Sequence, residues 1–214
     1  MIKIQHFVFN LFQVNTYVLY DETQECVIID PGCYENSEKN LIKGFIGQEK
    51  LKPVGLYNTH THIDHLVGDQ FISSEYGLQP QFHQDGLIFF ERIPVTAESF
   101  GMEVDGLPKP GKFLKDGDTI KFGKSKLKVL YTPGHADGSV CFYNAAQKFV
   151  IVGDVLFYQS IGRTDLPTGD FDKLQKSIHQ RLFTLPEEVT VLSGHGPETT
   201  IGYEKLHNPF VGLI

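Results

Sequence analysis

The densest chemical signal in the chain is Thr59-His60-Thr61-His62-Ile63-Asp64-His65, which directly follows the apolar stretch Val54-Gly55-Leu56-Tyr57-Asn58. Imidazoles and carboxylates crowded in this way are the side chains that hold divalent metal ions. Histidines two apart on an extended segment project to the same side, so His60 and His62 can share one ion. If the chain then turns into a helix, Asp64 and His65 open its first turn beside that pair and can serve a second ion. A lone histidine is more often an ordinary surface or core residue. Four ligand-type side chains at this spacing reverse that expectation.

Four ligands do not complete two metal sites, so others must arrive from elsewhere, each at the end of a strand. Tyr131-Thr132-Pro133-Gly134-His135 closes a β-rich run with a Pro-Gly turn that delivers a histidine. Val150-Ile151-Val152-Gly153-Asp154 ends another run with a carboxylate, whose two oxygens allow it to bridge two cations. Val191-Leu192-Ser193-Gly194-His195-Gly196 ends a third, with a glycine on each side of the histidine to permit close backbone approach. Taken singly, each is a common loop start. Together with the first cluster they make a consistent set of seven: His60, His62, Asp64, His65, His135, Asp154 and His195.

The elements that must position these residues fall into two similar stretches. Asn15 to Tyr20 leads through a polar turn into Glu25 to Asp30, and Gly138 to Tyr143 leads through a turn into Lys148 to Asp154. Each is a β-rich run, a turn and a second β-branched run ending in an acid, the pattern of a hairpin. Two related halves are expected. Between them lie helical patterns near 37 to 49 and 65 to 76, with a third near 84 to 91. Thr119 to Phe122 and Lys126 to Tyr131 alternate as half-buried strands do. A helix opens at Asp170-Phe171-Asp172 and runs through Leu174, Ile178 and Leu182, with acids placed to cap it. Val189 to Leu192 is a last strand. Sheets covered by helices, an α/β architecture, follow from this alternation. The Gly/Pro-rich run Gly106 to Gly111 marks a candidate join between the halves.

A length of 214 residues suits a single domain with a substantial core. The formal charge of -7, with no basic cluster, argues against a nucleic-acid partner. Met1 to Phe9 alternates like a strand instead of forming a secretory signal, and no run approaches the roughly 18 apolar residues of a membrane span. A cytoplasmic protein with no membrane partner is the expectation. The three cysteines, Cys26, Cys33 and Cys141, are widely spaced and odd in number, which suits a reducing compartment. Cys26 and Cys141 sit in apolar runs as core residues, and Cys33 after Asp30-Pro31-Gly32 reads as a turn residue.

The ordered set His-x-His-x-Asp-His, Thr-Pro-Gly-His, Gly-Asp and Gly-His-Gly resembles the metallo-β-lactamase fold superfamily and spans nearly the whole chain. Within it, Gly162 to Asp170 and Gly194 to Thr200 resemble the short glyoxalase II-like (hydroxyacylglutathione hydrolase-like) enzymes. The resemblance implies an αββα sandwich of two mixed sheets flanked by helices, over residues 1 to 214, without the C-terminal helical region of full-length glyoxalase II. It implies that His60, His62 and His135 bind one ion and Asp64, His65 and His195 the other, with Asp154 bridging. The ions would be divalent, zinc foremost, with iron and manganese also accepted by such ligands. The implied activity is hydrolysis by a metal-bridging hydroxide that Asp64 orients, acting on a small-molecule ester or thioester such as S-lactoylglutathione. Where full-length glyoxalase II enzymes carry a Lys and, two positions on, a Tyr, this chain has Arg163 and Asp165. Arg163 is a candidate clamp for a substrate carboxylate, or else an ion-pair partner of Asp165 or Asp170. Tyr203 and Lys205 are candidates for the mouth of the site, or else part of an exposed terminal helix.

Four other readings compete. Persulfide dioxygenases share the fold and the early histidines but use one iron, and their last segment resembles Ala-His-Asp-Tyr, unlike Gly194-His195-Gly196-Pro197. β-Lactam hydrolysis fits poorly with Asp154 as bridging ligand, and an RNA-processing role lacks its basic surface. A non-catalytic metal-binding module would close each ion with four ligands, often cysteines, and no cysteine falls among the candidates.

Overall fold

Two β-sheets are laid down in succession, and their strand pairing repeats one plan. The computed structural model describes residues 1–104 and 106–213. In the first sheet, β1 (Lys3–Phe9), β2 (Val14–Tyr20) and β3 (Glu25–Ile29) are antiparallel. Helix α1 (Asn36–Gln48) then carries the chain over to β4 (Lys52–Tyr57), which pairs with β3 in parallel. A parallel neighbour cannot be reached by a tight turn, so the crossover is obligatory. After β4 come α2 (Ile63–Leu66), α3 (Asp69–Tyr76), the short parallel strand β5 (Pro80–Gln81), a 3-10 turn over Gln84–Gly86, α4 (Leu87–Glu91) and α5 (Ile93–Ser99).

The second sheet begins with β6 (Thr119–Phe122), β7 (Ser125–Tyr131), β8 (Val140–Asn144) and β9 (Phe149–Gly153), all antiparallel. A small hairpin, β10 (Leu156–Phe157) with β11 (Ser160–Ile161), precedes α6 (Phe171–Ser177), which continues into a π-helical turn over Ile178–Leu182. The chain then returns as β12 (Thr190–Ser193), parallel to β9, and closes with β13 (Thr199–Thr200) and α7 (Ile201–His207). The two hairpins seen in the sequence are β2–β3, with Leu19 opposite Val27, and β8–β9, with Phe142 opposite Ile151. Each feeds a helix and then a parallel strand.

The strands alternate between two apolar layers. Tyr17, Leu19, Val27 and Ile29 face Val129, Phe142 and Ile151 between the sheets. On the outer face of the first sheet, Val18 and Ile28 meet Ile42 and Ile46 of α1 and Ile72 of α3. On the outer face of the second, Cys141, Val150 and Val191 meet Leu174, Ile178, Leu182 and Ile201. Both faces of each sheet are therefore buried, and each such aliphatic side chain contributes roughly 1.5–3 kcal/mol. This is the αββα sandwich of two mixed sheets that the family resemblance implied, with the sheets covered by helices as the alternation of elements predicted.

The helix ends follow ordinary capping chemistry. Glu38 accepts the Glu35 backbone N–H before α1, Asp170 accepts Lys173 N–H at 2.9 Å at the start of α6, and Thr200 accepts Tyr203 N–H at 3.2 Å before α7. Two departures from the sequence reading have physical causes. The helix expected near 65 to 76 is split at Gly68, because Gly68 N–H donates to Pro31 O at 2.8 Å and no Cβ would fit there. A Cβ would lie 2.4 Å from Pro31 O and 2.6 Å from Cys33 Sγ. Secondly, α5 follows α4 after Arg92 with Pro94 in its first turn, where a missing N–H costs nothing. The run 106 to 111 is the loop between the first half and the second sheet.

Candidate metal centre

β7, β9 and β12 end at the same edge of the second sheet, because two antiparallel steps and one parallel step give them a common direction. There they meet the segment after β4. Backbone bonds stitch the sheets together at this edge: Val140 N–H donates to Thr59 O at 2.8 Å, and Asn15 N–H to Gly194 O at 2.7 Å. All seven residues singled out from the sequence converge on this point.

His60 Nε2, His62 Nδ1 and His135 Nε2 form one group, with His62 Nδ1 3.1 Å from His60 and 3.0 Å from His135. Asp64, His65 and His195 form a second, with Asp64 Oδ2 3.1 Å from His195 Nε2 and 3.6 Å from His65 Nε2. Asp154 lies between them. Its Oδ1 is 3.3 Å from His65 Nε2, while its Oδ2 is 3.7 Å from His135 Nε2 and 3.5 Å from His195 Nε2. The two carboxylate oxygens thus face members of both groups. Local geometry matches the sequence argument: His60 and His62 leave the strand together, His62 caps α2, and Asp64 and His65 occupy its first turn.

The outward ring nitrogens are tied back to the protein. His135 Nδ1 donates to Arg163 O at 2.8 Å, His195 Nδ1 to Gln13 O at 3.2 Å, and His65 Nδ1 to Asp30 Oδ2 at 3.0 Å. Thr59 Oγ1 donates to Asp30 Oδ2 at 2.7 Å and so accepts from His60 Nδ1 at 3.2 Å. Each of these bonds fixes the ring so that the inward nitrogen is aimed into the cluster, where it would present a lone pair to a bound cation. Asp30 thereby supports one histidine of each group. The sequence reading placed Asp30 only as a strand-ending acid; its partners are 29 and 35 residues away, beyond any local pattern.

The electrostatics suit cation binding. Burial, reinforced by the surrounding histidines, holds His60 well below its usual value, and burial with His135 nearby lowers His62 to about 4. Both are neutral ligands at pH 7. Burial opposes charge on His65, but Asp64, Asp154 and Asp30 outweigh it and hold that ring well above its usual value. Asp154 stays below the usual carboxylate range despite burial because His65, His135 and His195 surround it, and Asp64 is lowered in the same way by His65 and His195.

The donor set fits a pair of divalent cations. His65 Nε2 and Asp154 Oδ1 are buried polar atoms with no hydrogen-bond partner, although they face each other. Buried polar groups are rarely left so, and a metal ion satisfies both at once. Five imidazoles and two carboxylates, with no cysteine among them, are nitrogen and oxygen ligands of the kind that zinc, iron and manganese accept.

A cavity of about 620 Å³ opens over the cluster, lined in part by His62, Asp64, His135, Asp154 and His195. Arg163 also lines it, and its guanidinium is already engaged by Asp165 through two bonds of 2.7 Å. Tyr203 and Lys205 do not line this cavity. They belong to α7, where Tyr203 stacks on Tyr158 and Lys205 reaches towards Glu187 at 3.9 Å, because α7 turns back over the outer face of the second sheet. The cavity wall also includes residues no motif flagged, among them Phe12, Phe89, Arg92 and Phe100. Cys33 is buried beside Gly68, and burial pushes its thiol up to about 12.

Comparison with known proteins agrees with this geometry. The model for the metallo-beta-lactamase superfamily matches residues 9–195. A relative in Haemophilus influenzae, hydroxyacylglutathione hydrolase GloC, is 33% identical over 202 residues, covering 94% of this chain and 93% of its own. Among solved structures, the BLEG-1 B3 metallo-beta-lactamase superposes with a TM-score of 0.87 at 34% identity, covering 99% of both chains. TTHA1623, solved in a di-iron-bound form, gives a TM-score of 0.86 at 32% identity, covering 96% of this chain and 99% of its own.

Proposed function

Since this chain belongs to the metallo-beta-lactamase superfamily, we propose that it is a metal-dependent hydrolase that uses two divalent cations, zinc foremost, to cleave a small-molecule thioester such as S-lactoylglutathione. The observation that carries this reading is Asp154, whose two oxygens face both ligand groups on the floor of an open cavity. His60, His62 and His135 would hold one ion, and Asp64, His65 and His195 the other. The di-iron form of TTHA1623 supports a paired site, and the name of GloC supports the thioester.

When bound, such cations would supply an activated water and polarise the substrate carbonyl. The chain's own residues do the rest. Asp64 lines the cavity and is kept ionised by His65 and His195, so it accepts the hydrogen bond that orients the attacking water. Arg163 O and Gln13 O lock the rings of His135 and His195, so the ligand geometry is set before substrate arrives. A departing thiolate needs little acid assistance, which suits a site whose described histidines all belong to the ligand cluster. A small-molecule partner is part of this reading, and the formal charge of -7 supports it over a nucleic-acid partner. The three free, buried cysteines support a cytoplasmic site of action as part of the same reading.

Free-thiol release from S-lactoylglutathione, with and without chelator, tests the reading. Chelator-sensitive release supports it. Oxygen uptake on glutathione persulfide, or opening of a β-lactam, in place of thiol release would replace it with a rival chemistry.

A further inference from the structure

The wall of the cavity over the cluster is built for grease, and its charges are positive. Phe12, Phe89, Val95, Phe100, Leu166 and Pro167 line it beside the ligands. Phe12 and Phe100 meet edge to face, with ring centroids 5.2 Å apart, and Phe89 sets its ring against that of His62 at 5.4 Å. The apolar side chains of the wall therefore reach the ligand cluster itself, through Phe89 against His62. Val95 within α5 and Phe100 at its C-terminal end remain 68% and 51% exposed, apolar surface that a ligand in the cavity would cover. Arg92, exposed at the junction of α4 and α5, lines the same cavity and has no acidic partner among the described residues. Arg163 is the other cation in the wall, and it is held by Asp165. Among the described residues, Asp64 and Asp154, which belong to the cluster, are the only acids that line the cavity.

Resting on the hydrolase reading above, we propose that the preferred substrate is an anionic thioester whose acyl group is apolar and several carbons long, with the acyl chain on the Phe12–Phe89–Phe100 wall and a carboxylate of the thiol half at Arg92. A lactoyl group, short and hydroxylated, would leave that wall in contact with water. In the reaction the acyl C–S bond breaks and a C–O bond to water forms. The products are a carboxylic acid and a thiol, with one water proton passing to the sulfur, so no oxidant or further reactant is required.

The test separates binding from turnover. S-Hexylglutathione and S-methylglutathione are thioethers that cannot be hydrolysed, and their affinities for the metal-loaded protein are measured by calorimetry. The longer chain is expected to bind at least about tenfold tighter, in line with burial of its added methylenes. Phe89→Ala and Phe100→Ala should each erode that preference, while Ile88→Ser, exposed and outside the cavity wall, should not. Arg92→Met should weaken S-hexylglutathione several-fold and leave neutral N-acetyl-S-hexylcysteamine unchanged. In turnover, hexanoylglutathione should exceed lactoylglutathione in kcat/KM by a similar factor. Equal binding of the two thioethers, or a preference for lactoylglutathione, would overturn this proposal and leave the hydrolase standing. Tighter binding of S-hexylglutathione with no hydrolysis of either thioester would uphold the pocket's chemistry and overturn the hydrolase reading.

Discussion

Asp30 Oδ2 and His65 Nδ1 stand 3.0 Å apart with both residues fully buried, and the same oxygen receives the Thr59 hydroxyl that supports His60. One carboxylate thus orients a ring in each of the two ligand groups. It does so from a left-handed backbone, φ 50°, that asparagine and aspartate tolerate better than most residues.

Asp30→Asn keeps that shape but removes one acceptor from a carboxylate that takes bonds from Thr59 N, Thr59 Oγ1 and His65 Nδ1. The fold should persist while metal affinity falls about 10- to 100-fold. Competition with a chromophoric chelator measures it. Unchanged affinity would mean that the ligands orient themselves without Asp30.

Gly194 sits where a side chain cannot. A Cβ would lie 2.2 Å from Asp154 Oδ1 and 2.7 Å from His65 Cε1. Gly194→Ala should lower metal content and cost about 1–3 kcal/mol of stability, as overpacking does. Gly44→Ala is the counterpart: it lies within α1 with nothing within 4 Å of its Cβ, so it should stabilise the fold by about 1 kcal/mol and leave metal content alone. Thermal melts and elemental analysis of the two variants decide the matter.

Arg163 contributes two separable things. Its carbonyl holds His135, and its guanidinium lines the cavity in a bidentate pair with Asp165. Arg163→Ala removes only the second, so KM for an anionic substrate should rise more than kcat falls. A large drop in kcat at unchanged KM would show that the side chain acts at the reacting atoms instead.

Asp69 gives the fold a pH dependence. Its Oδ2 is buried without a partner, and burial, with Asp30 nearby, holds the carboxyl well above the usual range even though Asn58 Nδ2 donates to Oδ1. Well below pH 4 the group is protonated whether the chain is folded or not. As pH rises, the unfolded chain ionises first, so stability is lost until the folded acid itself ionises. Asp69→Asn removes that loss. Its advantage over the parent in denaturant midpoint should widen from pH 4 to pH 8, by at most about 1.4 kcal/mol per pH unit. A gap that does not change with pH would contradict this.

What could be read in the sequence was whatever a local pattern carries. His60 to His65 lie on consecutive turns of chain, and His135, Asp154 and His195 each follow a glycine that ends a β run, so ligand type and strand end were visible together. The hairpins β2–β3 and β8–β9 were visible for the same reason. Asp30 was not, because its partners Thr59 and His65 come from a different strand end. Phe12, Phe89 and Phe100 look like ordinary core residues in sequence, and only the fold turns them to one cavity. Tyr203 and Lys205 sit close to His195 in sequence, yet α7 carries them to the outer face of the second sheet, against Tyr158 and Glu187.

Stepwise reconstitution of metal-stripped protein, following thioester hydrolysis against equivalents of zinc bound per chain, tests the paired site most directly. The seven-ligand geometry predicts that turnover climbs to its plateau only as the second equivalent is taken up. A plateau at one equivalent, or turnover that persists with none, would contradict it.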